Sequence, residues 1–187
     1  MAELLIALAI LGVVATFTIP KVLQSQQSSR FNSSAKEMAG MLTGALTVYK
    51  TSNTVTSSTA TTDLTHYFNY VAVDTATTID GAQGGTTISC GTLGGTCLIM
   101  HNGGRVFYWY TDSFGGTSGL YCLRFVFDPD GQVTDGTTNG PGKSVEFFLY
   151  TDGSIRTYGT TKSSTICGPW PYPSPDPTQD PPWFSWS

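Results

Sequence analysis

A single carboxylate, Glu3, stands directly in front of the sixteen uncharged residues from Leu4 to Ile19. An acid beside so apolar a run is costly if the run enters hydrocarbon, about 2.5–3.5 kcal/mol at the centre of a spanning helix. The first basic residue along the chain is Lys21, which lies too far away to neutralise Glu3 locally. This points to a counter-charge on another molecule. A second acidic set, Asp128, Asp130 and Asp135, sits in the glycine-rich stretch DPDGQVTDGTTNGPG. These are candidate hard-oxygen ligands for calcium. The pattern lacks the third spaced oxygen residue and closing glutamate of an EF-hand, so a solvated turn is the plainer reading. The nearby Gly142-Lys143-Ser144 is not a phosphate-binding loop. Five residues rather than four separate Gly136 from it, and a strand-like segment follows where a helix is needed.

Four cysteines, Cys90, Cys97, Cys122 and Cys167, all lie beyond the apolar run, and none forms a C-x-x-C pair. His66 and His101 are not spaced as zinc ligands beside them. An even cysteine count past a membrane-type segment suggests two disulfides in an oxidising compartment. Of the three connectivities, the expected one closes the short loop Cys90–Cys97 and uses Cys122–Cys167 to tie the tail to the rest. No G-x-S-x-G elbow, metal motif or dinucleotide fingerprint is present, so the chain does not read as an enzyme. Charged residues are only 12 % of the chain, and the net charge of −4 gives no general attraction to nucleic acid or anionic lipid.

The elements that would carry these side chains follow from periodicity. Leu4 to Ile19 is too apolar on all sides for a core helix, and its flanks are wrong for a cleaved secretory signal. After Pro20, the residues Phe31, Ala35, Met38, Leu42, Ala45, Leu46 and Tyr49 recur at helical spacing and define one apolar stripe. Joined, the two halves make a helix over 1–50 that is greasy all round in front and on one side behind. Pro20 should kink or loosen the junction, Gly12 is a second weak point, and Gly40 and Gly44 share a face that could admit another backbone.

The stretch from Ala2 to about Leu23, with an acid opening an ELLIALAILGVVA run and Ile-Pro following, resembles the N-terminal helix of type IV pilins and type II secretion pseudopilins. In that family a prepilin peptidase cuts after a glycine and leaves a methylated residue, with the acid at the fifth position. The family's proline follows the acid by seventeen residues, as Pro20 follows Glu3. Glu3 stands two residues early, and the resemblance implies two further residues before Met1. It also implies that Glu3 pairs with the terminal amine of a neighbouring copy and fixes the axial register, with Glu3, Gly12 and Pro20 as assembly residues. The implied partners are copies of the chain in a helical filament, the inner membrane before assembly, and the prepilin peptidase and assembly machinery. The implied location is a bacterial surface filament.

Residues 51–65 are nearly all Ser, Thr, Asn and Ala and read as a linker. From residue 66 to 160 the segments HYFNYVAV, TCLIMHN, RVFYWYT, LYCLRFVFD, SVEFFLYT and SIRTYG read as short strands. Asn102-Gly103-Gly104 and Thr151-Asp152-Gly153 are hairpin signals. The expected fold is α+β, a long N-terminal helix packed through its rear half on an antiparallel sheet, and the resemblance implies the same layout. Residues 161–187 form a tail dense in proline and aromatic residues, which should run extended and dock on its own sheet or on an adjacent copy. Three functions fit these features. One is a structural subunit polymerising into a type IV pilus-like filament. The others are a pseudopilin in a periplasmic secretion piston and a membrane-anchored adhesion or binding module.

Overall fold

The computed structural model describes residues 2–81, 87–92, 94–115, 122–133, 144–157, 180–181 and 183–186. Helix α1 runs without interruption from Ala2 to Ser52, with Pro20 inside it. At 1.5 Å per residue it is about 75 Å long. A short helix α2 (Thr61–Thr65) follows, and then eight strands: β1 (Tyr70–Asp74), β2 (Thr78–Asp80), β3 (Thr87–Ser89), β4 (Gly95–Met100), β5 (Arg105–Trp109), β6 (Leu123–Asp128), β7 (Val145–Leu149) and β8 (Ile155–Arg156). Six of them form one antiparallel sheet in the order β1-β4-β5-β6-β7-β8, and β2 and β3 pair separately. The α+β class with a long helix on an antiparallel sheet is therefore as expected.

Strand alternation sorts the sheet's side chains into two layers. One row across the register is Leu98, Val106, Phe127 and Val145, and another is Tyr108, Phe125 and Phe147. Both rows join the core that receives Phe31, Ala35, Met38, Leu42, Ala45 and Leu46 from α1. The intervening row carries Cys97, Phe107 and Val126, which face a second cluster with Ile79, Ile88 and Cys90 from the β2–β3 pair. The molecule is thus layered as helix, sheet and small hairpin. This accounts for the runs of apolar residues in β6 and β7, where a sheet solvated on one face would alternate.

Both anticipated hairpin turns are present. Gly103 (φ +89°) closes β4 onto β5, with Asn102 Oδ1 accepting the Gly104 amide. Gly153 (φ +90°) closes β7 onto β8, with Asp152 Oδ1 accepting the Ser154 amide. Positive φ is the reason for glycine at both positions.

The expected linker at 51–65 needs correction. Residues 61–65 form α2, whose Thr61 and Leu64 are fully buried. Thr61 donates its hydroxyl toward the carbonyls of Trp109 and Asp112. Hydroxyl-rich composition concealed this, because threonine satisfies its polar group on nearby carbonyls and then packs its methyl. The strand expected from residue 66 begins at Tyr70, after a turn. At the tail, Trp183 and Phe184 are buried on the chain's own core, with Trp183 edge-on to Phe31 and Phe184 edge-on to Phe147. Ser185 donates its amide to Asn32 Oδ1.

Candidate assembly surface

The front of α1 has no cover. Leu4, Ile6, Leu8, Ile10, Leu11, Val13, Val14 and Ile19 are each more than half exposed. Beginning at Ile6, α1 is long and apolar enough to cross a membrane, with a mean hydropathy of 2.1 and 0 % burial over its most apolar window. Two threonines in this stretch turn their hydroxyls inward along the helix. Thr16 Oγ1 donates to the Gly12 carbonyl at 2.7 Å, and Thr18 Oγ1 to the Val14 carbonyl at 2.8 Å. The front therefore presents hydrocarbon even where its sequence is polar. Gly12 has open space around its α-carbon, and Pro20 is exposed. Proline has no amide hydrogen, so the Thr16 carbonyl lacks its usual partner one turn on. Gly12, Thr16 and Pro20 recur every four residues and so share one face.

The neck from 21 to 30 changes character. Lys21, Gln24, Gln26, Gln27 and Arg30 are exposed, and a groove of about 610 Å³ runs between Leu23, Gln27 and Phe31 on the helix and Asn102 and Asp130 on the sheet's turns. Behind it, α1 is fastened to the domain at both ends of the apolar stripe. The tail holds Phe31 and Asn32. Thr43 donates to the Gly153 carbonyl and Lys50 Nζ to the Thr151 carbonyl at 2.7 Å. The outer face is bare at Gly40 and Gly44, where an added β-carbon meets nothing within 4 Å.

No protein-family model, curated protein or solved structure matches this chain. The assignment of its surfaces therefore rests on their geometry.

The remaining sequence candidates separate clearly. Cys90 and Cys97 form a disulfide seven residues apart in the hairpin-side cluster. Cys122 is also disulfide-bonded, and Cys167 lies outside the described residues. The Glu3 backbone belongs to α1, while its side chain lies outside the described residues.

Asp128 accepts backbone amides through both of its carboxyl oxygens. Its Oδ2 accepts the Asp80 amide and its Oδ1 accepts the amides of Asp130 and Gly131. With Ser144 donating to the Asp80 carbonyl, this pins the β2–β3 pair to the sheet. Burial, with Asp130 alongside, pushes the Asp128 carboxyl up to about 8. Asp130 accepts the Gln132 amide, and Asp135 lies outside the described residues.

Two ion pairs escaped sequence reasoning because their partners are remote in the chain. Arg105 Nε meets Asp74 Oδ2 at 2.9 Å, bracing the edge strand β1 to β5. Arg124 reaches Asp112 through Nε at 2.9 Å and Nη2 at 3.2 Å while lying 4.1 Å over the Trp109 ring. Burial raises the Asp74 carboxyl, but hydrogen bonds from Thr77, Ala76 and Arg105 outweigh it and hold the group well below the usual carboxylate range.

Proposed function

We propose that this chain is a structural subunit that polymerises through its N-terminal helix into a type IV pilus-like filament on a bacterial surface. One observation carries the reading. The front of α1 is apolar on every side and uncovered, while one face of its rear half is buried on the chain's own sheet. A large side chain such as leucine gains about 1.5–3 kcal/mol on leaving water. Lipid supplies that burial before assembly, and the same faces of neighbouring helices supply it afterwards. Because the front contributes nothing to the domain's own core, the exchange leaves the globular part intact.

Glu3 sets the stagger in this reading. Pairing with a positive terminus of the next copy neutralises two charges in an apolar bundle, and removal of one partner strands the other. The threonine hydroxyls bonded to the Gly12 and Val14 carbonyls need no partner from a neighbouring helix.

The experiment is electron microscopy of material sheared from the native cells, with mass spectrometry to identify the repeating subunit, repeated with Glu3→Ala. Long filaments of this chain that vanish in the variant are the expected result. Normal filaments in the variant would overturn the role of Glu3. Short assemblies that stay with the envelope and still need Glu3 would identify a pseudopilin piston instead. Chain found only in membranes, indifferent to Glu3, would indicate an anchored binding module.

A further inference from the structure

The chain has four methionines, and the three among the described residues, Met38, Met41 and Met100, all line a single cavity of about 230 Å³ between α1 and the sheet. Met38 and Met41 come from one turn of α1, Met100 ends β4, and His101, one of two histidines in the chain, begins the following turn. Met38 and Met100 are buried, Met41 is half-buried and His101 is exposed, so the cavity reaches solvent on its histidine side. His101 Nε2 lies 3.1 Å from Asn69 Oδ1. The amide oxygen can only accept, so Nε2 is the ring nitrogen that donates to it, which leaves Nδ1 as the nitrogen open to a metal. A histidine held by a carbonyl-type oxygen on one nitrogen is the usual arrangement of a metal-ligating imidazole.

We propose that this cavity binds a soft monovalent metal ion, Cu(I) or its analogue Ag(I), through the thioethers of Met38, Met41 and Met100 and the Nδ1 of His101. Thioether sulfur is a neutral, polarizable donor that selects Cu(I) over ions preferring oxygen. Calcium or magnesium, which take oxygen ligands, would use none of the four donors. Glu37, also on the cavity lining, supplies one negative charge against the single positive charge of the ion. The donor set also suits a chain with no free cysteine among the described residues. Thioethers hold a soft ion without entering the disulfide chemistry that consumes thiols. The site is independent of the filament reading, since the cavity belongs to the globular part.

The test titrates Ag(I) into the full chain in detergent, with disulfides intact and free thiol shown to be absent. Binding is followed by calorimetry and by the methyl signals of carbon-13-labelled methionine. One ion per chain should bind, shifting three methionine methyls and leaving that of Met1 unmoved, while calcium shifts none. Met41→Leu and His101→Gln should each weaken binding at least about tenfold, and Asn69→Leu should weaken it by a similar order. No saturable binding tighter than about 10 μM would overturn the proposal and leave the methionines as packing only. So would a shift confined to Met1, or binding indifferent to both ligand variants. The methyl signals of the unmodified chain decide the matter even if a variant folds poorly.

Discussion

Asp128 and Asp74 titrate in opposite senses, and each ties a different piece to the sheet. Asp128, raised to about 8 by burial and by Asp130, stabilises the fold fully below the ordinary carboxyl pKa, and that contribution is lost as pH rises through about 8. Asp74, held below the usual range despite its burial, contributes above the ordinary carboxyl pKa and loses its contribution as pH falls. From these two groups, thermal stability should be greatest near about pH 4–5 and should decline on both sides. Asp128→Asn should flatten the alkaline limb of a Tm-against-pH curve. It should also lower stability at pH 6 by about 1–3 kcal/mol, because an amide nitrogen would then face a backbone donor. An alkaline limb unchanged in the variant would assign that limb to another group. Removing the Cys90–Cys97 bond by Cys90→Ala with Cys97→Ala should cost roughly 2–3 kcal/mol, since the loop it closes is short. Urea denaturation of the paired variant measures this directly.

Among the elements, those with strong periodicity were readable in advance and those held by remote partners were not. The stripe from Phe31 to Tyr49 follows helical spacing; its members as far as Leu46 are buried, and Tyr49 at its end is half-buried against the same core. The six strands of the main sheet were likewise marked by β-branched and aromatic residues between turn signals. The short β2 and β3 were not, because Thr78–Asp80 and Thr87–Ser89 have only one apolar residue each. Their hold on the sheet comes from the short Cys90–Cys97 bond beside β3 together with Asp128 and Ser144, which are remote in sequence. The same is true of α2, whose hold on Trp109 and Asp112 spans about fifty positions. Of the candidate surface, the apolar front was fully legible, whereas the methionine cavity needed the sheet to bring Met100 beside Met38. Leu42→Ala, at the centre of the stripe, should cost about 2–5 kcal/mol. Trp183→Ala in the tail should cost about 3–5 kcal/mol, since it uncovers Phe31 as well. Chemical denaturation in detergent checks both, and a Trp183→Ala effect below 1 kcal/mol would mean the tail adds little to the core.

For the whole molecule, the division of α1 makes a sharp claim about solubility. The apolar window of the front half is not buried in its own domain, so deleting residues 2–24 should leave Tm within a few degrees of the full chain. It should also give a monomer without detergent, whereas the full chain aggregates or partitions into micelles. Light scattering after size exclusion distinguishes these outcomes. A shortened chain that unfolds would show that the front stabilises the domain in a way its exposure denies.

The clasp between the tail and α1 joins positions 153 residues apart, Ser185 to Asn32. Phe31 is translated before any strand exists, and Trp183 only after every strand of the sheet has been made. A nascent domain on the ribosome therefore waits with its first apolar contact open through almost the whole of synthesis. The apolar front of α1 precedes Phe31 in the chain and has emerged before that contact can close. Emergence of the front and closure of the rear are thus ordered along the chain, with the apolar front out first and the clasp closed last.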